Sequence, residues 1–184
     1  MRLWLVRHAR VRLAAGLCYG ASEVAADPAH TQQVAAALAA ALPLGAPLWV
    51  SGLGRARQLA HAVCAQRPDL AAPQPDARLN EMHFGQWERQ RWDAVPRAAF
   101  DAWLADFADH RFGGAESTQQ VITRVAGALA DTRAAGGEEA VWFTHAGVIR
   151  AVQFLLAHPG GRIAGVQQWP EQAPEPGGTM VVRL

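Results

Sequence analysis

The chain has 184 residues, 51% of them hydrophobic, and a formal net charge of +1. A chain of this length forms one domain with at most a small lid, and it buries about two-thirds of its unfolded surface without disulfide staples. The near-neutral balance excludes the strongly basic surface expected of a nucleic-acid binder, although every basic residue is Arg and none is Lys, a side chain suited to bidentate contact with phosphate oxygens. Cys18 and Cys64 sit in no CxxC pattern and read as reduced thiols. The apolar stretch before Arg7 is too short for a signal peptide, and the Ala-rich run Val34–Leu42 is too short for a membrane span. The expected location is the cytoplasm, with no membrane and no nucleic-acid partner.

The elements alternate. Leu3–Val6 is a continuous apolar run ending in Arg-His and reads as a buried strand. Gly16–Ala26 is a loop. Asp27-Pro28 supplies an N-cap and first helical residue for an Ala-rich helix to about Leu42. Leu48–Ser51 is a second buried strand, followed by a turn at Gly52 and Gly54 and a helix from about Arg55 to Gln66. Ala71–Asp76 is a Pro-rich connection, and Arg78–Glu81 reads as a short strand or extended edge. Phe100, Trp103, Leu104 and Phe107 recur at helical spacing. Ser117 caps a helix from Thr118 to about Ala135, stopped by Gly136-Gly137. Val141–Thr144 is a third buried strand, and Gly147 leads a helix to about Ala157. Val166–Trp169 and Met180–Leu184 are the last strand candidates. This order predicts an α/β three-layer sandwich with a mostly parallel sheet flanked by helices, one domain over residues 1–184 with a lid insertion at about 82–114.

Three strands end in residues that carry chemistry. In an open parallel sheet, ligands bind beyond the carboxyl ends of the strands. Arg7-His8 and Thr144-His145 occupy two such ends. Ser51 ends the third, and Arg55 follows it at a helix start, where free N–H groups and the positive end of the dipole attract anions. Taken singly, a histidine at a strand end is more often structural, and an arginine at a helix start is more often a surface charge. Together they predict an anion pocket, with phosphate the obvious guest. Metal-ligand spacings are missing, as are a GxxxxGK[ST] loop, a GxGxxG turn and a GxSxG elbow. Neutral imidazole is itself a nucleophile, so histidine is left as the candidate, with no cofactor.

The residues also resemble a known family. Leu3–Ala9 resembles the Arg-His-Gly signature of the histidine phosphatase (phosphoglycerate mutase-like) superfamily. Ser51–Ala56 resembles its Ser-x-Leu-x-Arg-Ala motif, Leu79–Glu88 its Leu-x-Glu…Gly-x-Trp-Glu segment, and Thr144–Val148 its Ser/Thr-His-x-Gly-Val motif. The four stand in family order along nearly the whole chain. The resemblance implies that His8 attacks phosphorus and becomes phosphohistidine. It also implies that Arg7, Arg55 and His145 bind the phosphoryl oxygens, and that Glu81 is the general acid and then the base that activates water. The implied catalytic set is His8, Glu81 and His145; the implied phosphate-binding set is Arg7, Arg55 and His145. The stretch Leu79–Glu88 and the opening Met-Arg-Leu-Trp-Leu most resemble α-ribazole phosphatases. That narrower likeness implies removal of the 5′-phosphate of α-ribazole phosphate or cobalamin 5′-phosphate, with a small phosphorylated metabolite as the only partner.

Departures concentrate after the first histidine. Ala9 stands where the family has Gly, and Arg10, Val11 and Ala14 stand where it often has polar residues. Arg10, Arg12 or the loop Leu17–Ser22 are the candidates to replace them. Ala115-Glu116-Ser117 stands for the usual Gly-Glu-Ser. Trp87, Trp92, Trp103 and Phe107 are expected to pack in the lid or core, although they would suit a flat ring, and His83 is expected to face solvent. A phosphoglycerate mutase, a phosphatase of another small metabolite or of phosphohistidine proteins, and an inactive phospho-ligand binding module are the competing readings.

Overall fold

The computed structural model describes residues 1–184. Five strands, β1 (Arg2–Arg7), β2 (Leu48–Val50), β3 (Gln74–Pro75), β4 (Glu139–Thr144) and β5 (Thr179–Arg183), form one sheet in the order β3-β2-β4-β1-β5. All neighbours run parallel except β5, which is antiparallel to β1. The five α-helices are α1 (Pro28–Ala41), α2 (Gly54–Gln66), α3 (Arg97–Ala105), α4 (Thr118–Ala135) and α5 (Ala146–Ala157).

Alternation along the two central strands sorts the core into two halves. Leu3 and Leu5 of β1, with Ala140 and Trp142 of β4, face α4 and α5. Val6, Val141 and Phe143 face α1 and α2 on the other side. Period-two alternation in a strand buried on both faces makes this three-layer arrangement. It is the α/β fold expected from the sequence. The parallel register pairs Arg7 with Thr144, so His8 and His145 emerge side by side beyond the carboxyl ends of β1 and β4.

Local signals set the helix ends. Asp27 Oδ1 accepts from His30 N at 2.8 Å, and Pro28 opens α1. Ser117 and Gln120 form a reciprocal capping box at the start of α4, with bonds of 3.2 and 2.9 Å, which satisfies donors the helix cannot. Gly136, at φ 74°, ends that helix, a conformation only Gly adopts cheaply.

Several expected elements differ. Arg78–Glu81 is not a strand: Ala77–Leu79 form a 3₁₀ turn, and Asn80 is extended but unpaired with the sheet. The Asp76 carboxylate causes the turn by accepting from both the backbone and the guanidinium of Arg78. The edge strand lies earlier, at Gln74–Pro75 inside the Pro-rich connection, where a proline is tolerated because an edge needs no donor on one side. Val166–Gln168 is a 3₁₀ turn and not a strand. Helix α3 stops at Ala105, short of Phe107, which nevertheless stacks on Trp103 at 5.3 Å between ring centroids. No helix is long and apolar enough to cross a membrane.

Candidate active site

The main-chain N–H of His8 donates to Thr144 O at 3.1 Å, which carries the β1–β4 pairing one residue past the strand. Its ring Nδ1 lies 2.7 Å from Ala9 O. A carbonyl can only accept, so Nδ1 carries the proton and Nε2 keeps its lone pair. Burial, and then the Arg55 charge, push the His8 pKa down to about 3, so the ring is neutral at ordinary pH. Ala9 is fully buried, so the core accommodates the methyl group that replaces the family glycine, while its carbonyl orients His8.

Arg55 lies in the first turn of α2 with no exposed surface. Its guanidinium donates to the carbonyls of Gly20 at 2.6 Å and Ser22 at 2.9 Å, and it stands over the Tyr19 ring at 5.3 Å. Arg7 donates to Pro174 O at 2.8 Å. The Nε atoms of both arginines are buried without a partner. Arg7, His8, Arg55 and Glu81 line one cavity of about 290 Å³, completed by Leu17, Tyr19, Phe84, Trp92 and Arg150. Of the candidates to replace the missing polar residues, the loop Leu17–Ser22 supplies walls of this cavity. Arg10 and Arg12 do not line it.

His145 has no exposed surface, and its ring centroid is 5.1 Å from that of His8. Its Nε2 is 2.7 Å from Ser51 Oγ, which in turn is 2.8 Å from Asn80 Oδ1. Its Nδ1 is buried and has no partner. Burial first, and Arg55 second, hold its pKa well below the ordinary value. Glu81 is anchored on the backbone: Oε1 accepts from Met82 N at 3.0 Å and Oε2 from Gly147 N at 3.1 Å, at the positive end of α5. The structure therefore gathers His8, Glu81, Arg7, Arg55 and His145 around one place. No three His, Cys, Asp or Glu side chains cluster as metal ligands.

A second cavity, of about 110 Å³, lies beyond Glu81. Its lining is mostly apolar, with Met82, Phe84, Trp103, Phe107, Val121 and Trp169. Glu81, Phe84 and Arg150 line both cavities. Trp87, Trp92 and Trp103 pack round Phe112, with Trp103 at 4.6 Å, so packing is their main role as expected. Trp92 and Trp103 also present surface to the cavities. His83 faces solvent and accepts from Gly85 N.

Sequence reasoning missed Asn80 and Arg150 as parts of the site, and it named Ser51 at a strand end and Tyr19 within the loop Leu17–Ser22 without giving either its role. Arg150 had a signal: it is the only charged residue of α5. Its Nη2 donates to Glu171 O at 3.0 Å, and its Nε is buried without a partner. Asn80 had no such signal, because it acts through a contact across sequence.

A neutral imidazole with a free lone pair, flanked by two arginines, a second histidine and a carboxylate, is a site for an anion that can be attacked. The comparisons agree. Residues 3–168 match the Histidine phosphatase superfamily (branch 1). The crystal structure of TTHB049 from Thermus thermophilus is 29% identical, with a TM-score of 0.73 over 100% of this chain and 94% of that chain. A phosphoglycerate mutase, also from Thermus thermophilus, is 30% identical, with a TM-score of 0.71 over 99% of this chain and 92% of that one. A mycobacterial glucosyl-3-phosphoglycerate phosphatase is 25% identical, with a TM-score of 0.71 over 84% of this chain and 78% of that one. No curated protein sequence matches the chain. With the family signature running from β1 past α5 and the five site residues in one place, the chain belongs to the histidine phosphatase superfamily, whose members are phosphatases or mutases.

Proposed function

We propose that the protein is a phosphomonoester phosphatase that works through phosphohistidine. The observation that carries this reading is the fixed tautomer of His8, whose Nδ1–H is held on Ala9 O while Nε2 is free. In the proposed reaction Nε2 attacks phosphorus as the bond to the leaving oxygen breaks. Arg7, Arg55 and His145 hold the phosphoryl oxygens and the charge that develops on them. Glu81 gives the leaving oxygen its proton, then takes one from the water that attacks the phosphohistidine. Residues 1–184 act as one domain, and the 82–114 segment serves as its lid.

The narrower proposal is that the substrate is a small phosphorylated metabolite handled in the cytoplasm: α-ribazole 5′-phosphate, or cobalamin 5′-phosphate, in cobalamin biosynthesis. Two features support it. One is the Leu79–Glu88 stretch. The other is the apolar cavity beyond Glu81, where a leaving group would lie and where a flat ring suits the aromatic walls. A mutase would pass the phosphoryl group to a second acceptor instead of water, and the likeness to a phosphoglycerate mutase keeps that reading in the test.

The deciding experiment pairs a trapped intermediate with a substrate panel. Acid-labile phosphate on the wild type, absent from His8→Ala, supports the covalent route; no label on either removes it. A preference of about a hundredfold in kcat/KM for α-ribazole 5′-phosphate over sugar, nucleotide and glycerate phosphates, about 2.7 kcal/mol in the transition state, supports the narrower reading. Equal rates across the panel would retain the phosphatase and remove that substrate. Transfer between glycerate positions in place of phosphate release would point to the mutase.

A further inference from the structure

We propose that Ser51 and Asn80 are positioning residues that lock His145 as its Nε2–H tautomer, so that Nδ1 is the nitrogen offered to the phosphoryl group. The argument is a count of protons along a buried chain. Gly52 N–H donates to the Asn80 side chain at 2.7 Å, and a backbone N–H can only donate, so the Asn80 atom in the chain is its oxygen and not its nitrogen. Ser51 Oγ lies 2.8 Å from that same oxygen, so the single hydroxyl proton of Ser51 points to Asn80. Leu53 N–H also donates to Ser51 Oγ at 3.2 Å. With its proton committed, Ser51 Oγ can only accept from His145 Nε2, 2.7 Å away. The ring must therefore carry a proton on Nε2.

The consequence falls on the other nitrogen. His145 Nδ1 is buried without a partner, and a buried polar atom left unpaired is costly unless a ligand supplies the missing bond. The charged and titratable groups acting on this ring are Arg55, His8, Arg124 and Arg7. They are mostly cationic, and burial adds to their effect, so the ring is neutral when the pocket holds no anion. A neutral Nε2–H ring presents a lone pair at Nδ1. It accepts a hydrogen bond from a protonated phosphoryl oxygen, or it takes that proton and then donates to the resulting P–O⁻. Without Asn80, the Ser51 hydroxyl is free to turn and donate to Nε2, which moves the ring proton to Nδ1 and sets an N–H where the acceptor stood. The inference rests on the phosphatase reading for the ligand of Nδ1, while the tautomer itself is measured without turnover.

The test is the ¹⁵N–¹H long-range spectrum of imidazole-labelled protein at pH 7 to 8, assigned with His145→Gln. The expected wild-type pattern for His145 is the Nε2–H tautomer. Asn80→Ala and Ser51→Ala should each give a mixed or inverted pattern and lower kcat/KM by at least about tenfold, since a wrong tautomer at a catalytic histidine costs up to about 10⁴-fold. Asn80→Asp keeps an acceptor facing both Gly52 N–H and Ser51 O–H, and it should restore the wild-type tautomer. A wild-type Nδ1–H pattern overturns the proposal, as does an unchanged tautomer in both alanine variants. If an alanine variant does not fold, the wild-type spectrum and Asn80→Asp still decide it. If the tautomer is as expected but His8 is never phosphorylated, the phosphatase reading fails and the lock remains as geometry without that ligand.

Discussion

Gly147 lies so close to Glu81 that a Cβ at its position would collide with Glu81 Oε1, while its own N–H donates to Oε2 at 3.1 Å. The glycine makes room for the carboxylate on the first turn of α5. Gly147→Ala should therefore separate stability from activity. Alanine is intrinsically favoured over glycine within a helix by about 1 kcal/mol, so the fold should survive, but Glu81 must move. The expected result is a kcat reduced at least about tenfold, toward the loss typical for a misplaced acid–base group. Steady-state kinetics with urea titration checks both parts, and full activity in the variant would remove the seating argument.

Glu81→Gln should lose rate according to the leaving group. An alcohol leaves poorly without a proton, and the loss expected there is about 10²- to 10⁴-fold. A nitrophenolate needs little help, so the phosphorylation step should be slowed far less. Burst and steady-state phases measured on an alkyl and a nitrophenyl phosphate separate the two steps. Equal loss of the phosphorylation step on both esters would assign Glu81 another role.

The two buried histidines should make stability depend on pH. Both are neutral in the folded protein, His8 with its pKa pushed down to about 3 and His145 held well below the usual value. Below about pH 6.5 the unfolded chain binds protons at these positions that the folded chain does not, for His8 down to about pH 3. Stability therefore rises with pH through that window and is lost as pH falls, by up to about 1.4 kcal/mol per pH unit for each ring. Urea unfolding at pH 7.5, 6 and 5 tests this before most carboxylates titrate. His8→Gln should flatten the slope; an identical slope in that variant would contradict the shift.

Phe112 ties the 82–114 segment together. It is fully buried and within stacking range of Trp103, Trp92 and Phe100. Phe112→Ala should cost about 3–5 kcal/mol, read by thermal or urea unfolding. Because Phe84 and Trp92 wall the cavity that contains His8, KM should rise as well. A loss below about 1 kcal/mol would mean that the cluster collapses around the gap.

Much of the fold and the central part of the site could be read from sequence, because both rest on local patterns. Leu3–Arg7 and Val141–Thr144 are apolar runs that end at the residues of interest. Asp27-Pro28, Ser117 and Gly136 mark their own helix ends. His8, Arg55, Glu81 and His145 each sit in a recognisable stretch. Residues whose roles depend on distant partners were not legible. Asn80 meets Ser51 across 29 positions, and Tyr19 and Gly20 meet Arg55 across 36 and 35. The difference at Arg78–Glu81 has a local origin instead. The extended character of the segment was visible, but the Asp76 carboxylate that bends Ala77–Leu79 into a turn is a side-chain effect that hydrophobic periodicity does not register.

The sheet separates two hydrophobic cores that bear unequally on the pocket. The core shared by α4 and α5 continues without a break into Val95, Phe107, Ala108 and Phe112, and Phe84, Trp92, Trp103 and Trp169 pack against it. The core under α1 and α2 contains none of these residues. A lineage that reshapes the aromatic cavity to admit a different molecule must therefore repack the same atoms that hold α4 and α5 to the sheet, so diversification on that side weakens the fold as it proceeds. The opposite face is a reserve. Substitutions between α1 and α2 can restore the lost stability while the sheet shields the aromatic wall from them, although Arg55 and the Val50–Ser51 strand end connect that face to the pocket.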